Sequence, residues 1–444
     1  MTLYNRTHVL YNKYRTCVRF VFLKGFDLMD KVIFHIDVNS AYLSWEAIFR
    51  LQHGETLDIR TIPSAVGGDP KKRHGIILAK SIPAKIFNIQ TGESIMEALK
   101  KCPTLYLAPP RYELYIKSSN AMVEIIKEYA SQIQRYSIDE CFVDVTDSIE
   151  LFGDPVELAH IIKDRIKNEL GFTVSIGISS NKLLAKMGSD LKKPDAVSTI
   201  FPPEMREIMW PLPVGDLFMV GRATIPKLGA MGIYTIGDLA NSDPEILKYT
   251  LKSHGILIWN YAHGREYSPV KKSNHLIIKS IGNSTTIAFD VETRREAHLV
   301  ILSLCEMVGM RLRDSGYMTR LVGISIKNNL FEHASHQEKF NLPTDQTNEI
   351  YDVARRLFDA LWDGTTIRHL GVRVSEFCEN DFTQISFFDG ISREKQRKLD
   401  KVVDALRGRF DASAIIRGSF VGSGIRPMTG GIGEDEFPMM GSIL

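Results

Sequence analysis

Two adjacent carboxylates, Asp139 and Glu140, lie inside an apolar, strand-forming run that extends from Tyr136 to Val145. Neighbouring side chains on a straight strand point to opposite faces, so both acids can reach one ligand only where the chain turns or bulges. Burying two carboxylates together is costly unless a cation neutralises them, and oxygen ligands suit Mg²⁺. The pair therefore predicts a metal site at a tight junction between two strands. An acidic pair that only caps a surface hairpin is the alternative.

A second apolar run, Val32 to Val38, carries a single acid, Asp37, near its end. Asn39 and Ser40 follow as good helix N-caps, and the apolar spacing beyond them is helical. This order predicts that Asp37 stands at the C-terminal end of a strand and completes the metal site. Tyr42 falls about one helical turn later, where it is either core packing or a wall of that site.

Basic side chains gather in a turn-rich segment between residues 67 and 87. They could hold a polyphosphate, and a solvated charge run is the alternative. The residues concerned are Lys71, Lys72, Arg73, Lys80 and Lys85.

Glycine turns mark residues 211–240. Residues 214–223 predict a helix, a tight turn at Gly221 and Arg222, and a second helix, and another glycine turn follows at 231–239. Such hairpins can offer backbone N–H groups to a DNA phosphate without reading the base sequence. A plain helical hairpin is the alternative.

Strands interleaved with helices up to about residue 200 predict an α/β or α+β domain. A later unit, residues 275–378, predicts strand, helix, strand, helix, strand, which is a small α+β sandwich. Its charge is nearly balanced, so contact with DNA would depend on placing a few cations on one side, namely Lys279, Arg294, Arg295 and Arg320.

Size and composition exclude several classes of protein. The 444 residues suffice for about three domains. The net charge of +2 means that affinity for nucleic acid must come from local patches. The five cysteines are scattered without a CxxC pair, which predicts a reducing cytoplasm and argues against zinc. No apolar run is long enough to span a membrane, so no membrane partner is expected.

The two ends of the chain differ from its centre. The basic, aromatic first 28 residues lack the features of a signal peptide, and we expect the functional chain to begin near Met29, with residues 1–30 poorly ordered. Near the other end, Gln384-Ile385-Ser386-Phe387-Phe388 predicts a docking peptide, since exposed paired aromatics are otherwise an aggregation liability. Residues 391–409 predict a charged helix, and the glycine-rich tail from Gly422 predicts disorder.

Together these pieces resemble the Y-family translesion DNA polymerases, and the bacterial UmuC-like and DinB-like branch fits best. The resemblance covers roughly residues 31–390. It rests on the order and spacing of three motifs: His35-Ile36-Asp37-Val38-Asn39, Ser137-Ile138-Asp139-Glu140, and the GISSNKLLAK stretch of residues 177–186. The Asp37-Val38-Asn39 tripeptide favours the UmuC-like side.

The resemblance implies a catalytic centre. Asp37, Asp139 and Glu140 would be the metal-binding carboxylates, with the Val38 carbonyl as a further ligand. Two Mg²⁺ ions would lower the pKa of the primer 3′-hydroxyl and stabilise charge on the leaving pyrophosphate. The implied activity is error-prone, template-directed DNA synthesis past lesions, as in SOS-type tolerance of DNA damage.

The resemblance also implies how the nucleotide is held. Tyr42 falls where the family places its steric gate, the aromatic that excludes a ribose 2′-hydroxyl, and Lys193 falls on its triphosphate-binding lysine. Many members carry a Tyr and an Arg three residues apart in the fingers, where this chain has Ile82 and Lys85. Lys85 keeps the charge without a bidentate fork, and Ile82 cannot donate a hydrogen bond. Triphosphate binding is therefore where this chain departs from the family pattern.

The implied architecture is a multidomain α+β right hand with a ferredoxin-like palm. Its parts would be the palm (31–60 and 106–200), fingers (61–105), thumb with helix-hairpin-helix (201–268), little finger (275–378) and a tail (379–444). DNA contacts would fall on Gly221, Arg222, Lys279 and Arg294. The implied partners are primer-template DNA, a dNTP and, through residues 384–388, the replication sliding clamp. A cytoplasmic monomer is expected, with accessory subunits left open.

Two other functions compete with this interpretation. A nucleotidyl cyclase also uses strand-borne acids for phosphoryl transfer, although the thumb-like hairpins and the docking peptide count against it. A DNA- and clamp-binding module that has lost nucleotide binding would explain Ile82.

Overall fold

The computed structural model describes residues 31–68, 75–271, 278–379, 390–411, 414–425 and 427–428. These residues form two compact units. Of the described residues, one unit combines those up to 41 with those from 117 to 271, and the other combines those from 42 to 116 with those from 278 onward. Within the described helices, none combines the length and apolar character needed to cross a bilayer. The predicted boundaries of palm, fingers, thumb, little finger and tail stay predictions.

A five-stranded sheet organises the first unit, with the strand order β5-β6-β1-β7-β8. The central strand β1 is almost fully buried, as its continuous apolar run predicts, and it pairs antiparallel with β6 and β7. The strands are β1 (Ile33–Val38), β5 (Gln132–Arg135), β6 (Glu140–Asp144), β7 (Val174–Ser179) and β8 (Val197–Thr199).

Two helices pack on this sheet, α6 (Pro155–Leu170) and α7 (Lys182–Leu191). The cap of α7 is Asn181, whose side chain accepts a hydrogen bond from the Leu184 N–H. Gly177 on β7 lets α7 approach closely, because a Cβ there would lie 1.9 Å from the Ala185 carbonyl oxygen. The helix therefore lies directly against β1 and β7.

Short helices fill the rest of this unit, and those after residue 200 share an apolar core with α7. The helix predicted before Gly221 is wrong, since only a 3-10 turn, Val214–Asp216, forms there, but the predicted turn at Gly221 is present and a helix follows it from Ile225. The second predicted turn is present, and Gly232 adopts a positive φ of 75° between α9 and α10. The short helices are α5 (Ile149–Phe152), α8 (Met205–Ile208), α9 (Ile225–Gly229), α10 (Ile236–Ala240), α11 (Pro244–Leu251) and α12 (Ser253–Ala262).

A three-stranded sheet belongs to the second unit, in the order β3-β2-β4. Its core is formed by eight buried residues that include Ile77, Ile89 and Ile95. The elements of this region are β2 (Ser64–Gly67), β3 (Ile77–Lys80), α2 (Ile82–Lys85), α3 (Ile95–Lys101) and β4 (Tyr106–Ala108). The helix α1 (Ala41–Gln52) follows β1 along the chain, and α4 (Tyr112–Lys127) follows β4.

The second unit also contains a four-stranded antiparallel sheet in the order β11-β10-β12-β9, packed against two amphipathic helices. The sequence predicted three of its strands and both helices, and missed the edge strand β11. The elements are β9 (Ser280–Val291), α13 (Arg294–Asp314), β10 (Tyr317–Asn328), β11 (His333–Thr344), α14 (Thr347–Leu361) and β12 (Ile367–Glu379).

The C-terminal helix α15 (Gly390–Phe410) forms where a charged helix is predicted. The expectation of a disordered tail from Gly422 is wrong for its described part. Phe420 and Ile425 are buried in the apolar core of the four-stranded sheet and its helices. The chain beyond β12 therefore completes that core.

Mixed sheets and helices in several cores confirm the predicted multidomain α+β class.

Candidate active site

Asp37 and Glu140 face each other across two paired strands. Their Cα atoms are register partners in the antiparallel β1–β6 ladder. Asp139 is the last residue of the turn between β5 and β6, and its carbonyl accepts the Val38 N–H at 3.0 Å. The three acids thus meet at one end of the sheet, at the tight junction of strands that the sequence predicts.

The Glu140 carboxylate is held by two cationic or hydrogen-bonding groups. Its Oε2 lies 3.1 Å from Nε2 of His35 and 2.5 Å from Nζ of Lys186. Burial raises the pKa of Glu140, but His35 and Lys186 outweigh it and bring the pKa down to about 2. Burial lowers the pKa of His35 to about 4, although Glu140 acts in the opposite direction. Glu140 is therefore an anion beside a neutral imidazole.

The other two acids are held more loosely. Burial raises the pKa of Asp37 to about 6, although the Lys193 ammonium, 3.0 Å from Oδ1, lowers it. Burial also raises the pKa of Asp139, against the opposing hydrogen bond from the Ser137 hydroxyl. Lys193 contacts Asp190 as well, at 2.8 Å, and these two acids raise its pKa against the effect of burial.

The donor set fits hard divalent cations in its chemistry. It consists of three carboxylates and the backbone at the end of one sheet, and oxygen atoms are the ligands that Mg²⁺ prefers. Among the residues that the structure describes, no three acidic, histidine or cysteine side chains form a ready-made metal cage. The lysine ammonium groups of Lys186 and Lys193 instead contact two of the acids. The acids thus already bind cations supplied by the chain.

Tyr42 lies in the first turn of α1, half-buried in an aromatic cluster. Its ring stacks on Tyr115, with centroids 4.7 Å apart and planes 14° from parallel, and Tyr112 meets it edge-on. Tyr115 and Trp45 are themselves buried. Neither predicted alternative for Tyr42 is excluded by this packing, since a wall of a site also needs support.

Lys85 is the last residue of α2 and is exposed, and Ile82 at the start of that helix is 53% exposed. The helix is capped by Ser81, whose hydroxyl accepts the Ala84 N–H at 3.1 Å. No described residue covers either side chain, which leaves both accessible to a ligand.

The predicted DNA contacts lie on separate elements. Gly221 is in the turn before α9, where its carbonyl accepts the Thr224 N–H at 2.8 Å, and Arg222 beside it is exposed. Lys279 is exposed directly before β9. Arg294 opens α13, 3.5 Å from Asp359 and over the Trp362 ring. Lys71, Lys72, Arg73 and the docking peptide Gln384–Phe388 lie outside the described residues.

Three residues in this network of contacts were given no role from the sequence: His35, Lys186 and Ser189. Two signals in the sequence could have identified the first two. His35 and Asp37 are two residues apart on one strand and so share a face. Lys182 and Lys186 are four apart on α7 and share a helical face, which predicts at least one cation directed at the sheet.

Comparison with known proteins decides the family. Residues 36–190 match the impB/mucB/samB family, and residues 278–387 match its C-terminal domain. The DNA polymerase IV of Clostridium acetobutylicum is 46% identical over 389 residues, which cover 88% of this chain and 98% of that protein. The chain belongs to the impB/mucB/samB family.

Further relatives of this family agree. The DNA polymerase IV of Acetivibrio thermocellus is 42% identical over 88% of this chain and 97% of that protein. A solved Y-family DNA polymerase chimera superposes with a TM-score of 0.66 over 79% of this chain and all of the chimera, at 21% identity, which shows the shared fold. The predicted family and fold are thus confirmed: the chain is a bacterial Y-family polymerase, a DNA-directed DNA polymerase of the translesion type. The preference for the UmuC-like side stays a prediction.

Proposed function

We propose that Asp37, Asp139 and Glu140 form the catalytic centre at which this polymerase joins a deoxynucleoside monophosphate to a primer 3′-hydroxyl. The observation that carries the proposal is the cross-strand pairing of Asp37 with Glu140, next to Asp139 in the adjoining turn. Three carboxylates at one sheet end are a costly arrangement for stability alone. This cost in stability is explained if the carboxylates bind cations during the reaction.

The proposed cofactor is a pair of Mg²⁺ ions, held by the three carboxylates and the Val38 carbonyl. Such ions lower the pKa of the attacking hydroxyl and stabilise charge on the leaving pyrophosphate. Family membership implies metal dependence, and the oxygen donors support magnesium.

Lys193 and Lys85 are the proposed triphosphate contacts. The Lys193 ammonium lies 3.0 Å from Asp37, and the lysine stem is flexible enough to exchange a carboxylate oxygen for a phosphate oxygen. Lys85 is exposed on α2 and supplies a point charge without the fork of an arginine. Both proposed contacts to the triphosphate are thus lysines.

Tyr42 is the proposed steric gate against ribonucleotides. Its ring is supported by Tyr115, so it resists displacement by a 2′-hydroxyl. Tyr42→Ala should raise the ratio of ribo- to deoxynucleotide incorporation by more than about tenfold, since removal of the ring opens space for the hydroxyl. Tyr42→Phe, which keeps the ring, is the control and should leave the ratio near that of the wild type. Unchanged sugar discrimination in Tyr42→Ala would remove Tyr42 from this role.

DNA is proposed to contact the turn at Gly221 and Arg222 and the start of the four-stranded region at Lys279. These positions are exposed, and contacts from them to DNA phosphates would not read the base sequence, as a polymerase that copies any template requires. Arg294 is the weakest member of this set, because Asp359 and Trp362 already engage its guanidinium group.

The sliding clamp is the proposed partner of residues 384–388, on the sequence pattern alone. A monomer in the cytoplasm is proposed as the working form. The four described cysteines, Cys102, Cys141, Cys305 and Cys378, are all unpaired, which agrees with a reducing compartment.

Of the competing functions, the cyclase finds no support in the family match or the relatives. A DNA- and clamp-binding module without catalysis keeps one observation in its favour, the exposed apolar side chain of Ile82 at a position where many members carry a tyrosine. It predicts binding to DNA without primer extension.

Primer extension with dNTPs and Mg²⁺ separates these functions. The wild type should extend the primer, and Asp139→Ala should not. Asp144→Asn is the matched control, because Asp144 lies on the same strand β6 but pairs with Ile33 at the other end of the ladder and binds Thr146. Extension that survives in Asp139→Ala would overturn the site, and DNA binding without any wild-type extension would favour the module.

A further inference from the structure

One oxygen of Glu140 receives donors from two elements. Oε2 lies 3.1 Å from Nε2 of His35 on β1 and 2.5 Å from Nζ of Lys186 on α7. A carboxylate ion can only accept hydrogen bonds, so both nitrogens donate. Two donors that come from different elements hold the carboxylate in one orientation.

Ser189 contacts the other ring nitrogen of His35. Its Oγ lies 2.7 Å from Nδ1 of His35 and 2.8 Å from the Lys186 carbonyl oxygen. With Nε2 directed at Glu140 and Nδ1 at Ser189, both ring nitrogens of His35 have a partner. The Ser189 hydroxyl thus connects the imidazole to the backbone of α7.

The imidazole has no freedom to leave this position. His35 is fully buried, and its ring centroid is 4.7 Å from that of Phe142. Ser189 is 1% exposed and is fixed by the close approach of α7 to Gly177, where a Cβ would lie 2.3 Å from the Ser189 nitrogen. The serine, the histidine and the glutamate thus form one buried chain of contacts.

We propose that His35 and Ser189 are positioning residues that orient Glu140 as a metal ligand, an inference that rests on the proposed role of Glu140. Both residues act through the Glu140 carboxylate and not directly on the reacting atoms. Partners of ligating carboxylates commonly change metal affinity by about 10- to 100-fold when they are removed.

Four variants test the chain of contacts. His35→Leu removes both hydrogen bonds, and His35→Gln keeps an N–H that can reach Glu140. Ser189→Ala removes only the hydroxyl that contacts Nδ1. Ser179→Ala is the matched control, because Ser179 is buried and donates to the Ile200 carbonyl but is the register partner of Ile33, not of His35.

The measurement is Mn²⁺ binding to the full chain on primer-template DNA with a dideoxy-terminated primer and the matching dNTP, followed by electron paramagnetic resonance. No turnover occurs, so the readout is independent of activity. Ser189→Ala should raise the half-saturating Mn²⁺ concentration by about tenfold and His35→Leu by about 10- to 100-fold. His35→Gln should bind within about threefold of the wild type, and Ser179→Ala should match the wild type.

The outcomes separate this inference from the proposed function. Wild-type Mn²⁺ binding in both His35→Leu and Ser189→Ala, with binding lost in Glu140→Ala, would overturn the positioning role and leave the metal site intact. Unchanged binding in Glu140→Ala and Asp37→Ala as well would overturn the metal site itself. Equal loss in His35→Leu and His35→Gln would show a packing role and would also overturn the inference.

Discussion

Acids paired with cations occur in both the five-stranded and the four-stranded region, and the cations differ between the two regions. At the end of the five-stranded sheet, single lysines contact Glu140 and Asp37. Around the four-stranded sheet, arginines do so. Arg313 contacts Asp404 at 2.5 Å and Asp400 at 3.4 Å, Arg407 and Arg417 both contact Glu306, and Arg397 contacts Asp345.

The difference matches a structural use of charge in the four-stranded region and the catalytic use proposed for the five-stranded region. A guanidinium group is always charged and presents a rigid fork of donors, so its ion pairs are fixed. A lysine ammonium is a point charge on a flexible stem and can be exchanged for another cation. The arginine pairs anchor α15 to α13, whereas other cations can replace the lysines at the carboxylates of the five-stranded sheet.

The largest expected effect is the loss of activity in Asp37→Asn. If the acids of the five-stranded sheet serve catalysis, single-turnover primer extension should fall by at least about 10²- to 10³-fold, because charge stabilisation at the reacting phosphate is lost. The free energy of unfolding should not fall. Burial raises the pKa of Asp37 to about 6, which means that the folded protein disfavours its ionised form. Urea denaturation checks stability, and a coupled loss of both quantities would erase the contrast.

The opposite result is expected in the four-stranded region for Arg313→Met. The change leaves Asp400, which is 6% exposed, without its buried cation, and should lower the free energy of unfolding by about 3–5 kcal/mol. Arg356→Met is the control: its partner Glu338 is exposed, so the expected cost is about 0–1 kcal/mol. Equal costs for the two variants in urea denaturation would show that burial of the pair is unimportant.

Removal of a lysine cation should affect substrate binding and spare stability. Lys193→Met should raise the KM for dNTP by about tenfold and change the free energy of unfolding by less than about 1 kcal/mol, since its side chain is 32% exposed. Lys127→Met, which breaks an exposed pair with Glu124, is the control and should leave KM unchanged. Steady-state kinetics with saturating DNA provides the measurement. A wild-type KM in Lys193→Met would assign Lys193 to structure alone.

The carboxylates of the site were predictable because each is anomalous where it stands. An acid at the end of an apolar strand, such as Asp37, and an acidic pair in a strand-forming run are costly without a partner. The contacts of Glu140 were not predictable. They depend on the antiparallel register of β1 with β6 and on the close approach of α7 at Gly177, and local periodicity encodes neither.

The parts of the fold that escaped prediction did so for different physical reasons. β11 is exposed over most of its length, so it lacks the alternation that marks a half-buried strand. Phe420 and Ile425 lie in a stretch rich in glycine and serine, and their burial depends on residues distant in sequence, in the core of the four-stranded sheet and its helices. The helix wrongly predicted before Gly221 lies in a stretch with helical apolar spacing that packs through a 3-10 turn instead.

The smallest expected effect tests the contrast between lysine and arginine directly, in the region where the chain departs from the family pattern. Lys85→Arg places a bidentate fork on α2, where the side chain is exposed and free of the packing that would resist the change. If triphosphate binding is limited by point charges, the KM for dNTP should fall by about two- to fivefold. Lys100→Arg on α3, also exposed in the same region, controls for added guanidinium charge and should leave KM unchanged. A KM that is identical in Lys85→Arg and the wild type would mean that Lys85 does not contact the triphosphate, and the nucleotide would then depend on Lys193.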